Sequence, residues 1–319
     1  MTTFPTLIAN VILFALLIIP GFVLGKLKLI ERGALVSMTN ILMYVAMPFL
    51  VLSKLVATDL RAIPLSDILL CTLIPAVVML GSLLVAMAVF RKKDENTRWR
   101  VARFCVVMPN CGFLGIPLAE VLFPSRPEIA VYMSLFNIVS TFLLLTVGVY
   151  VLSGDKRDVS FRRAILSPIM ASIVVGVIVS LSGVATVVPQ ISTYSTILAS
   201  LTTPLSMLVL GVELSGLKLR RLVLTPALYA VSALKLVMMP TVTVAILFCL
   251  KLCGVTVSAP LAVAMFMATA VSTAASAPAM SKKFKRDGEF AAILTLGTTV
   301  ICTLTLPLLY MLADLVLGI

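Results

Sequence analysis

The chain has 319 residues, 61% of them hydrophobic and 12% charged, against roughly 45–50% and 25% in soluble domains. That balance excludes a soluble globular protein and implies an all-α chain that crosses a membrane many times. Histidine is absent, which excludes histidine triads and histidine proton relays, and the net charge of +12 does not imply nucleic acid, because it falls almost wholly in loops on one side, against an anionic inner leaflet.

Apolar runs of about 20 residues, enough to cross roughly 30 Å of hydrocarbon, predict ten spans near 5–25, 34–54, 67–90, 101–123, 129–153, 164–186, 195–216, 223–250, 258–281 and 290–314. The first has no Lys or Arg before it, so it lacks the basic region of a signal peptide and reads as a retained helix. Residues 164–212 carry no charge and are too long for one span; Val188-Pro189-Gln190 with Ser192, Thr193 and Ser195 predicts a polar hairpin between the sixth and seventh. The loops after spans one, three, five, seven and nine hold 20 of the 25 basic residues, among them Lys26, Arg91, Lys92, Lys93, Lys156, Arg162, Arg163, Lys218, Arg221 and Lys282. By the positive-inside rule these loops are cytoplasmic, which makes this a multi-pass protein of the cytoplasmic membrane with both termini outside. The six cysteines lie in or at the ends of hydrophobic runs without a Cys-x-x-Cys pair, so neither a disulfide framework nor a metal site is expected.

Span four contains Met108-Pro109-Asn110-Cys111-Gly112-Phe113-Leu114-Gly115-Ile116-Pro117. Proline removes a backbone donor and glycine weakens a helix by roughly 1 kcal/mol, so an opened turn near residues 109–112 is expected. Opened backbone in lipid is tolerated only where protein or water satisfies it. The stretch therefore reads as the lining of a polar cavity near the bilayer midplane, where many secondary transporters bind substrate; a proline kink capped by neighbouring helices is the simpler structural alternative. Pro48, Pro75 and Pro117 in spans two to four are echoed by Pro204, Pro240 and Pro278 in spans seven to nine. Sliding Pro117 onto Pro278 sets the span-four motif against Thr-Ala-Val-Ser-Thr-Ala-Ala-Ser-Ala-Pro, residues 269–278. Five spans per half is an odd number, so residues 155–319 must insert upside down relative to residues 1–154. The predicted fold is two inverted five-helix repeats whose broken helices four and nine cross at mid-depth.

An interrupted helix turns the free N–H groups of its second half, and about half a positive charge, toward the gap. A carboxylate entering loses hydration worth several kcal/mol, against roughly 2 kcal/mol from a buried helix terminus and about 1.5–3 kcal/mol for each hydrogen bond to the charge. The near balance suits a carrier that must release what it binds. Asn110 can donate to a carboxylate and accept from a hydroxyl, although capping the following half-helix is an equal use of its amide. Ser272, Thr273 and Ser276 form a hydroxyl surface at the second break, and such residues also serve helix packing in membranes. Lys235 falls near the middle of span eight, where a lysine costs roughly 2.5–3.5 kcal/mol; it either attracts an anion or gates, or it pairs with a carboxylate such as Glu120 or Glu213. Those two carboxylates are the candidates for a coupling proton, with a solvated helix end as the competing role. No Gly-x-x-x-x-Gly-Lys-Ser/Thr loop occurs, so no cofactor or nucleotide is expected.

Pro109-Asn110-Cys111-Gly112-Phe113-Leu114-Gly115-Ile116-Pro117 resembles the Pro-Asn-x-Gly-Phe-x-Gly-x-Pro signature of the auxin efflux carrier family, which includes plant auxin exporters and bacterial malate and malonate permeases. Lys235 followed by Pro240, Ser276-Ala277-Pro278 followed by Phe284 and Asp287, and Asn137, where relatives often carry an amide, add to the resemblance. It implies ten helices, with spans one, two, six and seven as a scaffold and the others as a moving transport unit, often in a homodimer. In plant exporters span four reads Asn-Pro-Asn-Thr; Met108 and Cys111 replace the outer two here, which sets this chain apart from them. The expectation is a secondary carrier for a small organic anion, a mono- or dicarboxylate, and not an enzyme. Its substrate-binding candidates are Asn110, Cys111, Gly112, Gly115, Asn137, Lys235, Ser272, Thr273 and Ser276, with helix breaks at Pro109, Pro117 and Pro278. A sodium-coupled symporter of bile-acid-carrier type and an anion channel are the alternatives.

Overall fold

The computed structural model describes residues 12–13, 16–58, 60–91, 97–159, 166, 168–216, 220 and 223–318. In chain order the principal helices are α1 (Ile18–Lys26), α2 (Gly33–Ala57) and α3 (Leu65–Val89), α4a (Arg98–Val107), α4b (Cys111–Leu122), α5 (Pro127–Ser153), α6 (Pro168–Ser182) and α7 (Gln190–Ser215). They continue with α8 (Pro226–Leu252) and α9a (Ala259–Ala270), α9b (Ala277–Lys283) and α10 (Gly288–Leu317). Six of these, α2, α3, α5, α7, α8 and α10, are long and apolar enough to cross a membrane. Each predicted span overlaps one of these helices or, for spans four and nine, a pair of half-helices. Residues 5–11, 14 and 15 of the first predicted span, and the loop residues Lys92, Lys93, Arg162, Arg163, Lys218 and Arg221, lie outside the described residues.

The expected polar hairpin before the seventh span is shorter than the sequence suggests. Helix α7 already begins at Gln190, so Ser192, Thr193 and Ser195 belong to it rather than to the turn. Two of these hydroxyls are satisfied within the helix: Thr193 Oγ1 donates to the Pro189 carbonyl at 3.3 Å and Ser195 Oγ to the Ser192 carbonyl at 2.9 Å.

Prolines mark local unwinding of a second kind. A π-helical turn precedes Pro48 in α2 (Leu42–Ala46), Pro117 in α4b (Cys111–Gly115) and Pro240 in α8 (Ala233–Met238). Each widens the helix just where the ring would strike the carbonyl one turn back. Pro75 and Pro307 lie inside α3 and α10 without ending them.

Packing divides the helices by neighbours. Helix α1 lies against α7, and α2 against α6 and α7. The α1–α7 contact is backbone on backbone: a methyl group on Gly21 would run into the Leu208 carbonyl, and one on Gly211 into that of Ile18, as small residues allow in membrane helix pairs. Helices α3, α4a, α5, α8, α9a and α10 surround one another, with α9a buried along its length between α5, α8 and α3. On the face that carries the basic loops, Arg286 donates to the carbonyls of Leu152 and Ser153, both at 2.8 Å, and Arg100 to that of Val151 at 3.0 Å. These guanidinium groups satisfy the carbonyls left open at the end of α5.

Candidate functional site

Helix α4a stops at Val107, the chain runs extended through Met108, and α4b begins at Cys111. Helix α9a stops at Ala270 and α9b resumes at Ala277. The two gaps meet. Asn110 N–H donates to the Ser272 carbonyl and Ala274 N–H to the Met108 carbonyl, both at 2.8 Å, an antiparallel bridge between Pro109 and Thr273. Thr273 Oγ1 donates to the Cys105 carbonyl at 2.7 Å, and its N–H to Thr298 Oγ1 at 3.2 Å. Each opened segment thus supplies donors and acceptors that the other lacks, which is how unwound backbone survives where water is scarce.

A cavity of about 790 Å³ lies against this crossing. Its inner wall is Pro109, Asn110, Gly112, Asn137, Ser140 and Ser276, its flank is Met43, Tyr44 and Met47 of α2, and its outer end is Asp158 and Lys283 near the basic loops. A second cavity of about 310 Å³ shares Met43, Asn110, Phe113, Ala275 and Ser276 with the first and extends to Asn40, Ser206, Glu213 and Pro278. Asn110 is 3% exposed, and its side-chain oxygen has no hydrogen-bond partner among the described residues. A Cβ on Gly112 would come within 2.9 Å of Met47 Cε, so that the flexible end of the methionine would have to shift, and within 3.4 Å of Asn137 Nδ2.

Of the candidates named from sequence, Asn110, Gly112, Asn137 and Ser276 line the cavities, and Pro109 and Pro278 edge them. The others stand behind that wall. The Cys111 thiol is turned to the Met133 carbonyl at 3.6 Å, Gly115 packs near Met133 and Val271, and Thr273 is used by the crossing itself. Ser272 is fully buried, and its hydroxyl is unpartnered. Lys235 is also fully buried, its ammonium 3.1 Å from Met239 Sδ. Among the described residues no carboxylate pairs with it, so of the two roles the sequence left open the structural pair with Glu120 or Glu213 is not found: Glu120 is held instead by Lys54 of α2, at 2.6 Å. The turn carrying Lys235 packs on α4a and α9a, the half-helices whose negative carbonyl ends point into the crossing, and that field compensates a buried cation. Glu213 makes no ion pair or hydrogen bond among the described residues.

Two features escaped the sequence reading. Lys54 and Glu120 are 66 residues apart in the chain, so no local pattern announces their pairing. Asp67, 2% exposed, accepts from Tyr132 Oη at 2.9 Å and Ser258 Oγ at 2.7 Å, a tie between the starts of α3, α5 and α9a that stays hidden until the helices are assembled. Among the described residues no group of His, Cys, Asp or Glu could hold a metal ion.

Residues 6–310 match the family described as membrane transport protein. The chain belongs to that family, the auxin efflux carriers. An uncharacterized transporter of Methanothermobacter thermautotrophicus is 27% identical over 249 residues, which cover 76% of this chain and 78% of the relative. One of Methanocaldococcus jannaschii is 27% identical over 218 residues, 64% of this chain and 68% of the relative. The chain is therefore a membrane transport protein, from a family of transporters rather than enzymes, and the crossing with its cavities is the candidate transport site.

Proposed function

We propose that this transporter is a secondary carrier for a small organic anion bearing a carboxylate, and that it works by alternating access around the crossing of α4 and α9. The proposal takes the helices as ten spans in two inverted repeats, 1–154 and 155–319. In it α1, α2, α6 and α7 form a scaffold, and α3 to α5 with α8 to α10 move. The observation that carries it is Asn110: its main chain is fixed by the bridge to Ser272, while its amide faces both cavities with an unpartnered oxygen. Beside it the first turn of α4b offers N–H groups that have no partner within the helix.

The sidedness of the cavity supports the mechanism. Its outer end lies by Asp158 and Lys283, on the face that the positive-inside rule makes cytoplasmic. On α2, Lys54 lies seven residues beyond Met47, about 10 Å further along the helix, and its ion pair with Glu120 ties the scaffold to the moving unit away from the cavity. In this reading the conformation is open inward and shut outward, and the Lys54–Glu120 pair must part when the site turns outward.

The test is flux in proteoliposomes of purified protein. Asn110→Ala removes a hydrogen bond worth about 1.5–3 kcal/mol to a charged ligand, so the apparent affinity for a transported carboxylate should fall roughly ten- to hundredfold. Wild-type flux at wild-type affinity in the folded variant refutes the assignment.

A further inference from the structure

The smaller cavity extends the site in a direction that a simple anion does not use. It opens off the wall formed by Asn110 and Ser276, and among the described residues that line it only Glu213 is ionisable. That carboxylate has no hydrogen bond or ion pair among the described residues. Other acids that face neighbouring helices are engaged, Asp67 by Tyr132 and Ser258, Glu120 by Lys54 and Asp287 by Arg98. Lys282 is the basic group whose field reaches Glu213, but it does not line the cavity. Lys235 is sealed behind the crossing, and Lys283 borders only the larger cavity, at its outer end beside Asp158.

A half-buried acid left unpaired at a cavity is an electrostatic vacancy for a cation. A dicarboxylate bound at Asn110 would push its second charge against Glu213 with no basic side chain between them, whereas an ammonium there would complete an ion pair and three hydrogen bonds' worth of donors. Resting on the carrier reading above, we propose that the cargo is an amino-carboxylate: its carboxylate is taken at Asn110, Ser276 and the start of α4b, and its ammonium at Glu213, with Asn40 and Ser206 as neighbouring polar groups. Cavities of about this size suit small molecules.

The experiment compares matched pairs on the full-length purified protein: alanine with propionate, leucine with 4-methylpentanoate, 4-aminobutyrate with butyrate, and succinate as the dicarboxylate. Thermal stabilisation and competition for uptake into proteoliposomes are both read. At least one amino acid should act at a tenfold or lower concentration than its amine-free partner and than succinate. Glu213→Gln should erase that gap while leaving the weaker binding of the amine-free partner in place, and Glu213→Asp should retain part of it. Asn110→Ala should weaken both members of the pair. If amine-free acids or succinate act as well as the amino acids on wild-type protein, the amino-carboxylate proposal falls and the carrier reading stands. That comparison needs no variant, so misfolding of Glu213→Gln cannot rescue it. If no carboxylate of either kind stabilises the protein or enters the vesicles, both readings fall.

Discussion

Glu120 shows how a residue's role is settled by what reaches it. The sequence leaves it open as a solvated helix end, a proton carrier or a partner for Lys235; in the fold it is bonded to Lys54, with both side chains about one quarter exposed. Such a partly solvated pair is worth at most about 1 kcal/mol, too little to decide stability but enough to shift two near-equal conformations about fivefold. Glu120→Gln should therefore leave the melting temperature almost unchanged. It should also slow modification of a thiol placed at Ser276 from the basic-loop side by up to about fivefold, as the population moves toward the outward-open state. Unchanged labelling would mean that the pair does not hold the far face shut.

At the scale of elements, the two breaks were unequally legible. The first is written locally, by Pro109, Gly112, Gly115 and Pro117, and α4a ends within two residues of the first proline. The second has no breaker between Thr269 and Ser276, and its helix stops at Ala270 because the facing segment rewards unwinding with three hydrogen bonds. That reward is invisible in one dimension; only the echo of the proline positions pointed to it. Thr273→Val keeps the shape but withdraws the bond to the Cys105 carbonyl, leaving that buried acceptor unpaired. A loss of about 1–3 kcal/mol is expected, read as earlier unfolding in detergent. The family resemblance groups spans one and seven, but the backbone-to-backbone contact of α1 and α7 was not foreseen, since Gly21, Gly25 and Gly211 carry no signal beyond their size. Gly211→Leu would force the two backbones apart; overpacking of this kind costs about 1–3 kcal/mol or more, and the variant should lose thermal stability while the crossing stays intact.

For the whole molecule, an all-helical chain with several helices long and apolar enough to cross a membrane was readable, because lipid imposes a length rule that acts on sequence alone. The cavity's composition was not, because Met43, Tyr44, Met47 and Ser140 come from helices whose facing sides are chosen by packing. The inward-open reading makes a direct prediction. Cys249 and Cys253 are exposed, whereas Cys71, Cys105, Cys111 and Cys302 are buried, so replacing the first pair by serine gives a background quiet to membrane-impermeant thiol reagents. On it, Ser276→Cys should react readily from the cytoplasmic face and slowly from outside, and saturating cargo should protect it. Faster reaction from outside would reverse the proposed orientation.

The joint between the two half-broken helices is made of main-chain atoms. Its bonds from Asn110 to Ser272 and from Ala274 to Met108 do not depend on which side chains those positions carry. A lineage can therefore rewrite the walls around the cargo and keep the same pivot. Diversity of what is carried and constancy of how it is carried then cease to compete.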